Sequence, residues 1–446
     1  MPQVHAFRPL QYVSSSGDVS PFIAPPYDVL DAEGKARLLA RDARNIVAAD
    51  LPHVPAKKLG PPEAYAAAAT LIERWVAEGV LTRSERPAIF AYRQLFEWNG
   101  RTTDRCGMIC TLDAVPFGKR PGGGVLPHEQ TFSGPKEDRL ALMKATRAQL
   151  SPIFGLHADE AGRASGLVRS VMASRGADMR ARSDDGVTHE VWRIEDDATI
   201  ERYREALAGE DVFIADGHHR YNTALNYLSL LESQGAVSSD HPARRCMFVM
   251  VGMSDPGLVI GATHRVLGGM RDYTFDAFIS AASDHLRFEP IAGDLAALER
   301  AVHTLTGMGQ NRFGLYDMTT GRCAVAIPAT TDPLAKRFSE KPRAWRALDV
   351  AIIQHLIVEE ICQPRLNAGE PVTWAFPHTI PEVEQIASGK ETGAGGGAGF
   401  AQLAVIVRPT PLDAVREICL AGELMPQKST FFLPKLATGL AINPLA

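Results

Sequence analysis

The sequence predicts an α+β fold, and three observations predict it. Short apolar, partly β-branched runs such as Asp211-Val212-Phe213-Ile214-Ala215 read as buried strands. Segments such as 61–81, with Leu71, Ile72, Trp75, Val76 and Val80 on one stripe, read as amphipathic helices. Asn99-Gly100 between two strand-like runs marks a hairpin, so the sheet is expected to be mixed rather than all parallel.

The elements follow in order. Pro25-Pro26 stiffens a loop that presents Tyr27 and Asp28. A helix is expected over 31–41 and another over 61–81, then a hairpin of 88–96 and 105–112. Residues 122–139 lack periodicity until Leu140 and read as a loop feeding a helix. This loop gathers His128, Glu129, Thr131, Lys136 and Arg139, a concentration expected of a site loop on a rigid scaffold. Its His-Glu-x-Thr lacks the second histidine of a zinc-protease motif. A strand over 151–156, a helix over 160–175, a half-exposed strand over 188–194 and a helix over 200–207 lead to the strand 211–215. The next helix starts near His219 and ends at Gln234-Gly235.

The second half opens with apolar strands 245–252 and 258–261 joined by a turn, the second continuing through 263–266. Helices over 275–286 and 296–305, a hairpin of 313–318 and 323–327, and a long helix over 345–361 follow, with His355 read as a core histidine. The glycine-rich 392–399 lacks the Lys-Ser/Thr of a phosphate-binding P-loop and reads as a surface loop. A strand over 403–407 and a helix over 411–420 precede a Pro-bracketed tail. Lys428, Ser429 and Lys435 in that tail read as site residues, because a merely docked segment needs only the apolar positions. Two domains are expected, 1–236 and 237–446, with the tail returning to the site.

Composition bounds the function. The chain has 446 residues, 45% hydrophobic and 22% charged, with a formal net charge of −5, which argues against coating nucleic acid. Its six cysteines are scattered without a zinc-like spacing, so reduced, buried thiols are expected. No targeting segment and no apolar run of membrane-spanning length is read, and the expected location is cytoplasmic.

The chemistry concentrates in Asp216-Gly217-His218-His219-Arg220, where a strand hands over to a helix. Gly217 permits close backbone approach, the helix start favours an anion, and Arg220 supplies a bidentate charge suited to phosphate. Asp216 offers a carboxylate for Mg²⁺ or as a base.

Several stretches together resemble the bacterial and archaeal domain-of-unknown-function family 1015. They are Pro-Pro-Tyr-Asp-Val (25–29), His-Glu-Gln-Thr (128–131), Gly-Pro-Lys-Glu-Asp-Arg-Leu (134–140), Ser-Pro-Ile-Phe (151–154), Ala-Asp-Gly-His-His-Arg-Tyr (215–221) and Pro-Lys-Leu-Ala-Thr-Gly-Leu (434–440). The strand–Asp-Gly-His-His-Arg–helix unit is also similar to the nucleotide-binding motif of the ParB and sulfiredoxin superfamily, which includes free L-serine kinases. That resemblance implies that Gly217, His218, His219 and Arg220, with Asp216, hold the phosphates of ATP or ADP.

The leading reading is a small-molecule kinase acting on a hydroxyl, with free serine as the preferred acceptor. Phosphoryl transfer asks mainly for positioning, positive charge, Mg²⁺ and a carboxylate facing the acceptor. Glu129 or Asp28 would be that carboxylate, with His128 beside it and Asp216 near the Mg²⁺. Tyr27, Thr131, Lys136, Lys428, Ser429 and Lys435 would contact the acceptor or clamp charge. One alternative is a ParB-like nucleotide switch; another is a metal-dependent hydrolase using His128, His218 and His219. The expected partners are a nucleotide and a small molecule, without membrane or nucleic acid, and assembly into a homodimer is left open.

Overall fold

The structure, a computed structural model, describes residues 2–56, 58–129, 133–304, 311–389 and 399–446. It comprises two compact units, one of residues 1–127, 131–259 and 434–446, the other of 128–130 and 260–433. Both mix helices with sheet, as an α+β chain should.

The first unit is built on a nine-stranded mixed sheet. Across it run Val125–Leu126, Val212–Asp216, Ile153–His157, Arg245–Gly252, Arg101–Asp113, Ile89–Trp98, Thr188–Ile194 and Met179–Arg182, with Val4–His5 beside the end of Arg101–Asp113. Val212–Asp216 is parallel to Val125–Leu126 and antiparallel to Ile153–His157, which is parallel to Arg245–Gly252. The hairpin forms where expected, with Asn99 (φ 51°) and Gly100 (φ 72°) both in the left-handed region its two-residue turn requires. Ile89, Met108, Leu112, Trp192, Ile214 and Phe248 are among the fully buried core residues. The helix Ser133–Thr146 packs against both Pro62–Ala77 and His218–Gln234.

The second unit carries a six-stranded antiparallel sheet in the order Leu286–Ile291, Cys323–Pro328, Phe313–Asp317, Ala401–Ile406, Arg265–Gly268, Thr373–Ala375. Val266, Leu298, Val302, Val325, Ala404 and Ile406 form its core on the face covered by the helices Leu295–Thr304 and Ile380–Ala387.

Several expectations are corrected. The division lies after 259 rather than 236, because Arg245–Gly252 is an interior strand of the first sheet, and residues 434–446 also belong to the first unit. The helix expected from Leu140 begins at Ser133, so Lys136 and Arg139 are helical rather than in a loop. Gly134-Pro135 falls in its first turn, where proline is tolerated because its missing N–H had no partner to lose. Thr188–Ile194 is mostly buried rather than half-exposed, since His189 and Glu190 find partners in Tyr92 and Arg93. Val259–Gly261 does not pair with Arg245–Gly252, and Arg265–Gly268 is a separate strand. The long helix expected over 345–361 is broken: short helices Arg343–Arg346 and Asp349–Ile352 lead into a π-helical stretch, Ile353–Cys362. His355 there is half-buried and bonds Glu359 at 3.0 Å, so it is not a core histidine. All six cysteines are buried thiols. Residues 392–398 and Thr131 lie outside the described residues. Among the described residues no helix is long and apolar enough to cross a membrane.

Candidate functional site

In the first unit the site is built where Val212–Asp216 ends. A bulge between Ile214 and Asp216 shifts the register of the pairing with Ile153–His157, and Gly217 follows with φ +96°. Gly217 occupies the capping position of the 17-residue helix His218–Gln234, which therefore has no side-chain cap. A Cβ added at Gly217 would lie 3.1 Å from the Arg220 guanidinium, so glycine serves both the backbone angle and the approach of Arg220.

One turn into the helix, Arg220 donates to Asp216 Oδ2 at 2.9 Å and also to the Pro152 carbonyl. Lys435 Nζ lies 3.7 Å from the same Asp216 oxygen. Burial alone would raise the Asp216 carboxyl, but the charges of Lys435, Arg220 and His218 outweigh it and hold it well below the ordinary range. His218 is buried and His219 partly so.

Lys435 is delivered by a clamp that sequence reasoning missed. Arg105, a fully buried guanidinium, donates to Gln94 Oε1 and to the Pro434 carbonyl, and Gln94 Nε2 donates to the Lys435 carbonyl at 2.9 Å. Arg105 also lies over the Phe154 ring at 4.6 Å. Burial holds its pKa down to about 10. The only signal for it was a charged residue at the start of an apolar run, directly before Cys106.

The Pro-Pro-Tyr-Asp and Gly-Pro-Lys-Glu-Asp-Arg stretches meet in the same unit. Arg139 lies 3.9 Å over the ring of buried Tyr27 and donates to the Asp50 carbonyl at 2.6 Å and to Asp138 Oδ2 at 2.8 Å. Asp138 in turn accepts from Tyr65 at 2.8 Å and pairs with His53 at 2.9 Å. Asp50 Oδ2 accepts from Ser151, whose hydroxyl is 3.0 Å from that of Thr438. Burial pushes the Asp50 carboxyl up, against Arg139 and Ser151. Tyr27, Asp50, Arg139, Ser151, Thr223 and Arg220 line a small cavity of about 40 Å³, room for water at most. Asp28 Oδ1 is buried and has no hydrogen-bond partner among the described residues. Asp50, Ser151 and Thr438 were not singled out as site residues, although Ser151 and Thr438 fall inside the stretches quoted above. Lys136 is on the helix Ser133–Thr146, half-buried.

A second cluster forms within the second unit, joining residues about 300 positions apart. Met425 N donates to the His128 carbonyl at 2.8 Å, and buried His128 Nε2 lies 2.8 Å from Thr430 Oγ1. Lys428 N donates to Glu129 Oε1 at 3.2 Å, and Lys428 itself takes φ +56°. Arg265 donates to the Lys428 carbonyl at 3.0 Å, and Thr410 to that of Ser429 at 2.6 Å. The Ser429 hydroxyl turns back onto the Pro426 carbonyl, so it is spent on holding the turn. His-Glu and Gln-Lys-Ser-Thr thus form one cradle.

Asp216, expected near a Mg²⁺, is held among cations. Its carboxylate is engaged by two cations, and among the described residues no three histidine, cysteine or carboxylate side chains gather closely enough to hold a metal ion.

Among solved structures, the chain is similar to a conserved hypothetical protein from Pyrococcus furiosus, at 14% identity and a TM-score of 0.30, over 72% of this chain and 93% of that one. It is similar to a free serine kinase in complex with AMP, at 13% identity and 0.31, over 72% and 90%. It is also similar to C-terminally truncated SbnI from Staphylococcus aureus, at 9% identity and 0.32, over 72% and 84%. No curated protein matches the sequence. The profile described as "Protein of unknown function (DUF1015)" matches residues 4–351, most of the chain, and the chain belongs to that family.

Proposed function

We propose that the protein is a nucleotide-dependent phosphotransferase acting on the hydroxyl of a small molecule, with ATP or ADP as donor and free serine as the first acceptor to test. The observation that carries this reading is the strand-to-helix turn at Gly217. There an uncapped 17-residue helix, Arg220 and Lys435 bring positive potential to one point of the backbone. The motif's resemblance to the ParB and sulfiredoxin nucleotide-binding unit supports the same assignment.

In this reading the phosphates lie over Gly217 and the first helical turn. Arg220 and Lys435 balance their charge, and Asp216 is a positioning residue that keeps both cations in place before the nucleotide arrives. Mg²⁺ bound to the nucleotide would supply charge neutralisation during transfer. Tyr27, Asp28 and Lys136 are assigned to the acceptor side of the first unit. Glu129 is assigned as the group that orients the acceptor hydroxyl or takes its proton, with His128, Lys428 and Ser429 holding the segment around it.

The test is turnover of ATP and of ADP by the full-length protein, with and without serine, followed by two variants. Glu129→Gln should leave nucleotide affinity nearly intact and lower turnover by roughly 10²–10⁴. Arg220→Ala should instead weaken nucleotide binding, because its charge acts in the ground state. Nucleotide binding without acceptor-dependent turnover would favour the switch reading. Full turnover by Glu129→Gln would move the base to Asp28 or Asp216.

A further inference from the structure

The second unit contains an open pocket of about 660 Å³ that the phosphotransferase reading does not use. Its size is within the range of small-molecule sites. Trp374 and Phe376 project from one face of the segment beginning with Thr373–Ala375, their rings 5.8 Å apart and within 11° of parallel. Both are only partly buried, so ring surface faces the pocket. Opposite in character stands Arg265, only 2% exposed yet lining the same pocket, with its guanidinium 5.2 Å over the Phe376 ring.

The partners of Arg265 are backbone carbonyls, those of Thr263, Gln427 and Lys428. Among the described residues no carboxylate lies within ion-pair distance of it. A buried guanidinium without an ion pair is costly, and burial holds its pKa down to about 10, against the pull of Glu129. An anion delivered into the pocket would remove that cost. Part of the remaining wall comes from the π-helical stretch Ile353–Cys362, which contributes Gln354 and His355. Such stretches are rare in helices and occur frequently at functional sites.

We infer that this pocket binds a planar ring carrying an anionic group, the ring stacked on Trp374 and Phe376 and the anion drawn to Arg265. The class includes nucleoside monophosphates and aromatic carboxylates. The inference is independent of the assignment of the Gly217 turn.

The experiment is calorimetric titration of the full-length protein and of its Arg220→Ala variant with four probes. These are AMP and indole-3-carboxylate (ring with anion), adenosine (ring alone) and inorganic phosphate (anion alone). At least one ring-with-anion probe should bind both proteins, and which one it is separates phosphate from carboxylate recognition. Trp374→Leu should weaken that probe about tenfold, the scale of one lost aromatic contact, and adenosine and phosphate should each bind at least tenfold more weakly. Trp374 is on the rim, so this variant keeps the test valid if Arg265→Gln fails to fold. No binding of either ring-with-anion probe at millimolar concentration would overturn the inference, as would equal affinity in wild type and Trp374→Leu. So would AMP binding abolished by Arg220→Ala and untouched by Trp374→Leu, if indole-3-carboxylate also fails to bind.

Discussion

Asp216 shows how a single residue can look like one thing in a sequence and act as another in a fold. A carboxylate beside a glycine turn reads as a metal ligand or a base, but here it sits between Arg220 and Lys435. Its depressed pKa makes it a stabilising charge at neutral pH. The sign follows from linkage: the folded state holds the carboxylate ionised below the unfolded value of about 3.9, so its contribution is complete above that pH and fades as pH falls further. In wild type, urea unfolding midpoints should therefore drop below pH 4 more steeply than in Asp216→Asn. Parallel curves for the two proteins would mean that the carboxylate gains nothing from its cations.

At the scale of the element, the strand–turn–helix unit depends on Gly217. Its φ is +96°, and a methyl group placed there would come within 3.1 Å of Arg220, so Gly217→Ala meets both backbone strain and a side-chain collision. The variant should lose about 1–3 kcal/mol of stability and bind nucleotide more weakly, read from thermal unfolding and titration. The tail makes a separate case. Arg105 and Gln94 hold the carbonyls of Pro434 and Lys435, so Gln94→Leu should release the segment that carries Lys435. Leaving a buried Arg105 short of an acceptor costs about 1–3 kcal/mol. Limited proteolysis should cut near 434 in that variant and not in the wild type.

Across the whole molecule, each unit buries a histidine that is neutral when folded. Burial lowers His189 to about 4 in the first unit, with Asp185 opposing, and lowers His264 to about 4 in the second, aided by Arg265. The unfolded chain takes up protons from about pH 6.5 downward while the folded state declines them, so stability rises with pH between about 4 and 6.5. Each histidine adds at most about 1.4 kcal/mol per pH unit to that slope. Replacing His189 with Gln should flatten the pH dependence of unfolding within that window, and an unchanged slope would show that His189 titrates alike in both states.

What the sequence determined by itself was local: the apolar strand at Val212–Asp216, the Asn99-Gly100 hairpin, the glycine cap at Gly235, and the cluster of charged and imidazole residue types at 216–220 on which the proposed phosphate site rests. These are legible because period, turn angle and charge are properties of a few neighbouring residues. The tertiary structure alone decided which distant groups meet. It placed Lys435 against Asp216, Arg139 over Tyr27, and the Lys428 amide on Glu129, pairs separated by more than 100 residues. It also decided that Arg245–Gly252 completes the first sheet, and that Arg105 and Arg265 sit buried on backbone carbonyls. No spacing rule encodes such pairings, because the partner that makes a buried charge tolerable is supplied by packing between elements and not by the chain around it.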